Sequence, residues 1–261
     1  MVPRSEIEHW EHSAPPDAKD FESARTAFSA FWTRAEALRA KLPPKAQRSA
    51  DDAAAADSIL AAARASRARF LRAHAARVYD ALTAGRTRFV RVHELCRRAS
   101  LEFPGLVPAA RELEAESRQM QRDKDGLEID QGLFFAHVLA DPGAGMHLCH
   151  AMLLPREESH ERLPELERAG EIDLGAAHLR RAGKASVLTM KNPRFLNAED
   201  ETTIAAVETA VDLALLDPRT EVCVLRGGTV EHPKYAGRRL FGAGIDLTHL
   251  YQGRISYLWY L

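Results

Sequence analysis

The chain has 261 residues and a formal net charge of −1 at pH 7, with 36 Lys and Arg residues against 37 Asp and Glu residues. Near-neutrality gives no bulk electrostatic reason to expect binding to nucleic acid or to an anionic membrane. Cys96, Cys149 and Cys223 are far apart, which does not fit a disulfide framework, and the first residues lack an apolar signal core. We therefore expect about one or two domains of a cytoplasmic protein without a membrane span.

The start of the chain combines a polar segment with an amphipathic one. Residues 1–17 are polar and contain prolines, which predicts an irregular arm. Apolar residues then recur at helical spacing from Ala18 to about Leu42, and Pro43 and Pro44 are predicted to end this helix.

A long helix rich in alanine and arginine is predicted next. Ser49 is expected to be its N-cap, with Asp51 and Asp52 in an acidic first turn, and its apolar spacing extends toward Leu82. Further helices are predicted at about 87–100, 107–122 and 129–140. We therefore predict an all-helical N-terminal domain over residues 1–169.

Arginines are frequent in this helical region, which raises the question of nucleic-acid binding. They alternate with acidic residues, so we interpret them as a solvated face or a subunit contact rather than a nucleic-acid surface. The arginines concerned are Arg64, Arg67, Arg69, Arg72, Arg77, Arg86, Arg88 and Arg91.

One short motif in the same region contains residue types that ligate metals. His147-Leu-Cys149-His150 offers possible zinc ligands, and His137 lies upstream. A second ligand pair is not nearby in the sequence, and the neighbouring apolar residues are typical of a helix core. We favour structural histidines over a zinc site and predict that no metal is bound.

The composition shifts near Glu171, where short strand-like runs replace the helical pattern. Residues 172–180 and 185–190 are predicted strands. The intervening residues 181–184 have a composition typical of a hairpin turn, so these strands should pair with each other.

The following segment predicts a strand–helix–strand unit. Asn197 is expected to cap the helix, with Glu199 and Asp200 in its first turn. The predicted apolar stripe of this helix is Ile204, Val207, Val211, Leu213 and Leu216. Residues 222–225 form the second strand, which we expect to lie parallel to the first. Ligands of such units collect beyond the carboxyl ends of the strands, where residues 241–246 fall.

The decamer Arg238–Leu247 contains two glycines separated by one alanine. Gly242 and Gly244 allow the backbone to turn tightly and to approach a ligand closely. Peptide N–H groups in such a turn can donate to an oxygen that gains negative charge during a reaction. Asp246 is expected to pin this loop rather than to take part in chemistry. Because Gly-x-Gly alone is more typical of an ordinary loop, the surrounding residues decide the interpretation.

Two motifs resemble the crotonase (enoyl-CoA hydratase/isomerase) superfamily. Phe241-Gly-Ala-Gly-Ile-Asp-Leu247 is similar to the oxyanion-hole element of that superfamily, and Lys184–Ala198 is similar to its opening strand and helix start. The resemblance implies that residues 170–261 form the first part of a crotonase-like α/β core of ββα repeats, after the helical domain.

The resemblance also implies roles for the loop residues. The peptide N–H of Ile245 is the expected oxyanion-hole donor to a CoA thioester, with Gly244 beside it in the catalytic turn and Gly242 in the thioester-binding segment. The core is expected to be incomplete at Leu261, so the second donor, a glycine in the superfamily, should lie beyond it.

A narrower resemblance concerns the cofactor-free oxygenases of arylacetyl-CoA thioesters within this superfamily. It rests on the long helical N-terminal part, Asn197–Asp200 and His232–Arg239. It implies oxygenation of an arylacetyl-CoA, above all 3,5-dihydroxyphenylacetyl-CoA, to the arylglyoxylate and free CoA. O2 is then the co-substrate, cofactors and metals are not needed, and a homo-oligomer (a trimer or a dimer of trimers) is expected.

The same resemblance implies substrate contacts. Glu199 and His232 would contact the substrate, Glu199 through a ring hydroxyl, while Arg238 and Arg239 would meet CoA phosphates. From the residues alone, Glu199 is equally an acid placed favourably at a helix N-terminus, and His232 is equally an exposed loop histidine. Arg238 and Arg239 are more typical of ordinary surface arginines.

Two alternative functions remain open from the sequence. An ordinary crotonase-type enoyl-CoA hydratase or isomerase would share the oxyanion loop and use other acidic residues. A catalytically silent helical interaction module would need no intact glycine turn. Binding of a CoA thioester separates this module from both enzymes.

Overall fold

Helices dominate the chain before residue 170. The structure is a computed structural model that describes residues 2–17 and 20–260. Its first eight helices are α1 Arg4–His12, α2 Phe21–Arg39, α3 Ala50–Leu82, α4 Val92–Glu102, α5 Ala110–Ser117, α6 Ile129–Ala140, α7 Pro142–Leu153 and α8 Glu157–Ala169.

A small sheet and two more helices follow. In chain order these elements are β1 Glu171–Asp173, β2 Ala177–Ala182, β3 Ala185–Met190, α9 Glu201–Leu216, β4 Val222–Gly227 and α10 Leu247–Tyr251. The described chain divides into two compact units, one comprising the residues up to Leu153 and those from Ser256 on, and the other Leu154–Ile255. Helix α8 therefore belongs with the sheet, because Leu166 lies in the sheet's own core, whereas the predicted boundary lay at residue 169.

Buried aromatic side chains hold the helical unit together. Trp32 on α2 and Phe70 on α3 are almost fully buried, and their rings meet edge to face at 5.3 Å between centroids. The indole Nε1 of Trp32 donates to Ser66 Oγ at 2.8 Å, so the polar end of this side chain is also satisfied inside the core.

The predicted irregular arm is wrong, because residues 4–12 form α1. Ile7 and Trp10 lie one turn apart and are both buried, so the segment has an apolar face despite its polar composition. The Trp10 ring stacks on Phe31 at 4.5 Å between centroids, and its Nε1 donates to the carbonyl of Phe31 at 3.0 Å. Packing against α2 therefore stabilises α1.

The sequence predicted that these helices exist more accurately than it predicted where they begin and end. The predicted start of the second helix at Ala18 lies outside the described residues; α2 begins at Phe21, where the Asp20 side chain accepts from Ser23 N–H. Ser49 caps α3 as predicted, accepting from Asp52 N–H. Helices α4 and α5 are shorter than predicted at their N-terminal ends, and α5 begins only after Pro108.

Several arginines of the helical unit are engaged within it. Arg67 is buried, donates to the carbonyl of Gly105 at 2.7 Å and pairs with Asp130 at 2.9 Å. Arg64 pairs with the same carboxylate at 3.1 Å, and Arg86 pairs with Asp80 at 2.6 Å. These pairs give the arginines a structural role inside the unit.

The two histidines of α7, His147 and His150, pack against aromatic side chains. His147 Nδ1 lies 2.8 Å from the hydroxyl of Tyr79, and its ring stacks on Phe89 at 4.6 Å between centroids. His150 contacts the same ring, and Cys149 is exposed. Within the described residues this motif does not form a group of three metal-ligating side chains, and the expectation that it binds no metal stays a prediction.

The sheet has the order β1-β2-β3-β4 and contains the predicted strand–helix–strand unit. Strands β2 and β3 form an antiparallel hairpin, and β3 lies parallel to β4 with Leu188 opposite Leu225. The predicted strand over residues 172–180 is instead two strands, because the chain reverses at Gly175, whose φ is +77°. Strand β1 then pairs antiparallel with β2.

The face that α9 buries is displaced from the predicted stripe, of which Val207 and Val211 still pack against the sheet's core. Ile204 is 39% exposed and Val207 is half-buried, whereas Ala206 and Ala210 are buried. Small side chains allow the helix axis to approach the sheet closely, so the larger apolar residues lie at the margin of this contact. Leu213 is buried as expected.

None of the helices within the described ranges combines the length and the apolar composition needed to cross a membrane.

Candidate active site

Asn197 ties together the backbone segments around the glycine loop. It is 1% exposed and has a φ of +54°, in the left-handed region. Its Oδ1 accepts from Asn192 N–H at 2.9 Å, and its Nδ2 donates to the carbonyls of Gly228 at 2.9 Å and Leu240 at 2.8 Å. The side chain thus connects the end of β3, the end of β4 and the start of the glycine loop.

The predicted cap of α9 is therefore wrong by three residues. Asp200 is the N-cap, and its Oδ1 accepts from Thr203 N–H at 2.8 Å. The hydroxyl of Thr203 accepts from Asp200 N–H at 2.6 Å, which completes a capping box. Glu199 consequently lies just before the helix rather than in its first turn.

Glu199 and Ile245 face each other across an isolated parallel bridge. Glu199 N–H donates to the carbonyl of Gly244 at 2.8 Å, and Asp246 N–H donates to the carbonyl of Glu199 at 2.8 Å. The structure therefore brings together the predicted substrate-contacting acid and the predicted oxyanion donor, which are distant in the sequence.

This bridge leaves the peptide N–H of Ile245 available. In a parallel bridge the residue between the two bonded peptides directs its own N–H away from the partner strand. Among the hydrogen bonds of the described residues, Ile245 N–H is not a donor. Gly244 has a φ of +79° and adopts this turn without strain. A free N–H on a fixed turn is the feature that an oxyanion-hole donor requires.

Glycines allow the loop to lie directly against the end of β4. A Cβ on Gly227 would lie 1.6 Å from the carbonyl oxygen of Leu240, so only glycine fits there. A Cβ on Gly242 would lie 3.2 Å from the carbonyl oxygen of Asn197, which is also tight. Two adjacent glycines at the end of β4, Gly227 and Gly228, are the sequence feature that permits this close approach.

Asp246 pins the loop, as predicted. It is 2% exposed and caps α10, with its Oδ1 accepting from Thr248 N–H at 2.9 Å and from His249 N–H at 3.0 Å. The residue directly after Ile245 is thus fixed to the following helix.

His249 belongs to this cluster, and the sequence analysis missed it. Its Nδ1 lies 2.9 Å from Asp200 Oδ2 and 3.8 Å from Asp246 Oδ2. Among the described residues, these three side chains form the group that could hold a metal ion, and the 2.9 Å distance also allows a direct ion pair between His249 and Asp200. The sequence feature that could have identified His249 is the Asp-x-x-His spacing. It places His249 in the first turn of α10, the helix that Asp246 caps. The expectation that no metal is bound stays a prediction.

His232, Arg238 and Arg239 lie in a separate segment of the loop. His232 Nδ1 accepts from Lys234 N–H at 3.2 Å, and its ring contacts Tyr235. Arg238 and Arg239 are exposed, and Arg239 forms an isolated bridge with Thr229. In the described part of the chain, the contacts found for these residues are within this segment and not with the Glu199–Ile245 bridge.

Comparison with known proteins identifies a related dioxygenase. No model of a known protein family matches the chain. Over 222 residues the chain is 46% identical to (3,5-dihydroxyphenyl)acetyl-CoA 1,2-dioxygenase of Amycolatopsis orientalis. The chain is similar to part of a dioxygenase. The match covers 85% of this chain and 51% of the relative, so the chain spans about half the length of the curated relative that it matches.

This relative supports the narrower of the two resemblances. The sequence motifs pointed to arylacetyl-CoA oxygenases, and the relative's name states such a substrate and reaction. Membership of the crotonase superfamily, and with it the crotonase-like core, stays a prediction.

Proposed function

We propose that this protein is a dioxygenase that converts 3,5-dihydroxyphenylacetyl-CoA and O2 to 3,5-dihydroxyphenylglyoxylate and CoA. The observation that carries the proposal is the Glu199–Ile245 bridge, which holds a free peptide N–H on a glycine turn. The similarity to a dioxygenase named for this substrate supports the choice of reaction.

The first step is removal of an α-proton from the thioester. The peptide N–H of Ile245 donates to the thioester oxygen, which becomes more negative as the enolate forms. Because the turn is fixed by the bridge and by the Asp246 cap, this donor is positioned before the substrate arrives.

The second step is reaction of the carbanion with O2. The electron-rich carbanion transfers an electron to O2, and recombination forms a C–O bond and a peroxide at the α-carbon. The distal peroxide oxygen attacks the thioester carbon and expels CoA. Cleavage of the O–O bond with loss of the remaining α-proton gives the ketone and the carboxylate. Both atoms of O2 enter the product, and the substrate supplies all the electrons, so the proposal requires no cofactor.

The remaining predicted residues bind the substrate in this proposal. Glu199 is half-buried, and its backbone is held opposite the oxyanion donor, so its carboxylate is suited to accept a hydrogen bond from a ring hydroxyl. Arg238 and Arg239 are exposed cations on the same loop, suited to CoA phosphates, and His232 is a polar contact beside them.

The test is O2 uptake by the purified full-length protein given 3,5-dihydroxyphenylacetyl-CoA in the presence of a chelator, with CoA release measured in the same sample. The proposal predicts one CoA released per O2 consumed. Thioester binding without O2 uptake would contradict it in favour of a hydratase or isomerase, which enoyl-CoA substrates would then identify. Absence of binding would contradict both enzymes and favour the interaction module.

A further inference from the structure

His249 lies between two carboxylates that cap two different helices. Asp200 caps α9 and Asp246 caps α10, and the two residues are 8% and 2% exposed. His249 Nδ1 lies 2.9 Å from Asp200 Oδ2 and 3.8 Å from Asp246 Oδ2. The ring of Phe195 lies 5.9 Å from the imidazole, measured between ring centroids.

Each capping aspartate directly follows one residue of the candidate site. Asp200 follows Glu199, and Asp246 follows Ile245. The contacts of His249 therefore connect the two strands of the bridge a second time, through side chains rather than peptides. A shift of either cap moves the adjoining peptide.

The carboxylates depend on the imidazole. Asp200 Oδ1 and Asp246 Oδ1 already accept backbone N–H bonds within their own caps. Asp246 Oδ2 is buried and has no hydrogen-bond partner among the described residues. Without His249, Asp200 Oδ2 would lose its 2.9 Å imidazole contact, and the two buried carboxylates would face each other with no cation between them, which is unfavourable.

We propose that His249 is a positioning residue that holds the peptide N–H of Ile245 and the backbone of Glu199 in the geometry needed for thioester enolisation. The role rests on the proposed function, because it assigns His249 to the same site. It acts through Asp200 and Asp246 and does not require contact between His249 and the substrate.

The first arm of the test is kinetic. His249→Leu removes the donor, His249→Asn keeps a donor near the position of Nδ1, and Asp200→Asn removes the charge that Nδ1 faces. His178→Leu is the matched control. His178 lies on β2, and its Nε2 is 3.5 Å from a carboxylate oxygen of Glu171, so it also pairs with an acid but not with one of the glycine loop. Oxygen uptake is measured at several thioester concentrations for all four variants.

We expect His249→Leu and Asp200→Asn to lower kcat about tenfold while KM changes by less than about threefold, because the donor matters most in the transition state. His249→Asn should recover most of kcat, and His178→Leu should match the unchanged protein. Equal kcat for His249→Leu and the unchanged protein would overturn the proposal. So would a loss that His249→Asn does not recover.

The second arm does not depend on activity. The amide signals of Glu199 and Ile245 are followed by ¹⁵N–¹H NMR in the ligand-free protein and the same variants. His249→Leu should shift both signals, and His249→Asn should return them toward their original positions. Unshifted signals overturn the positioning role. If the unchanged protein consumes no O2, the proposed function fails, and the amide signals alone decide whether His249 holds the loop.

Discussion

At the scale of single residues, the glycines near the site differ in what they are required for. Gly227 is required for space, because a Cβ there would overlap the carbonyl of Leu240. Gly244 is required for conformation, because its φ is +79° but nothing lies within 4 Å of a Cβ. Gly175, in the turn between β1 and β2, has the same properties at a φ of +77°. Gly244 and Gly175 therefore form a matched pair.

Gly244→Ala and Gly175→Ala should each lower the free energy of unfolding by about 1 kcal/mol, since both place a Cβ in the left-handed region. Only Gly244→Ala should lower kcat, because relaxation of φ turns the Ile245 N–H away from the thioester oxygen. Urea unfolding and O2 uptake measure the two effects. Equal kcat in the two variants would contradict the assigned role of the turn.

Asn197 shows why the site was only partly predictable from sequence. Asparagine before a helix usually indicates an N-cap, and this pattern led to the wrong assignment. Two of its partners, Gly228 and Leu240, lie beyond α9 and β4 in the sequence, so no local pattern contains them. By contrast, the glycine turn and the fixing of the loop by Asp246 are local features and were predicted, although the cap that Asp246 forms on α10 was not.

Asn197→Ala should lower the free energy of unfolding by about 3 kcal/mol, because three buried hydrogen bonds are lost and alanine is strained at a positive φ. Asn197→Gly loses the same bonds without the strain, so it should be about 1 kcal/mol more stable than the alanine variant. Equilibrium urea unfolding gives both values. If alanine and glycine proved equally stable, the left-handed conformation of Asn197 would be contradicted.

At the scale of elements, α9 is attached to the sheet at its C-terminal end by one buried ion pair. Asp217 is the C-cap of α9, and its Oδ2 accepts from Arg181 Nε of β2 at 2.7 Å. Burial disfavours the ionised carboxyl, but bonds from Arg181, Arg219 N–H and the Thr220 hydroxyl outweigh it and hold the pKa of Asp217 below its usual range. The pair thus fixes the crossover between the parallel strands.

Asp217→Asn should lower the free energy of unfolding by about 3 kcal/mol near pH 7, because Arg181 loses its buried partner. A lowered pKa in the folded state means that the stabilisation is fully present above the unfolded pKa of about 3.9 and is lost as pH falls through the folded value. The difference between the two proteins should therefore shrink as pH decreases toward about 3.

The control for this variant is Asp173→Asn. Asp173 pairs with Lys191 on the surface at 2.8 Å, and both side chains are exposed to solvent. Its loss should cost less than about 1 kcal/mol at any pH. Denaturant unfolding from pH 3 to 7 measures all three proteins. A pH-independent difference for Asp217→Asn would show that the carboxyl is not stabilised in its ionised form.

At the scale of the whole molecule, the order of helical unit and sheet unit was predictable, but their boundary was not. The helical and strand periodicities are properties of neighbouring residues and survive in the structure. Helix α8 has a helical pattern yet packs on the sheet through Leu166, and only the folded core reveals that association. The predicted homo-oligomer and the predicted crotonase-like core stay predictions.

The three cysteine thiols differ in exposure and are distributed over both units. Burial raises the pKa of Cys96 on α4 to about 12, while Cys149 and Cys223 are exposed, one in each unit. A disulfide reagent at neutral pH should therefore modify Cys149 and Cys223 in the folded protein and Cys96 only after unfolding, since the thiolate is the reactive species. Mass spectrometry of peptides after labelling checks this. Rapid labelling of Cys96 would contradict the packing of α4.

The most direct test of the central claim is the mass of the product formed from 3,5-dihydroxyphenylacetyl-CoA under ¹⁸O-labelled oxygen gas. The proposed reaction steps place one labelled oxygen atom in the ketone and one in the carboxylate. We predict a 3,5-dihydroxyphenylglyoxylate that carries both labels, formed together with free CoA. A product with a single label, or with oxygen from water alone, would contradict the dioxygenase mechanism derived from the Glu199–Ile245 site.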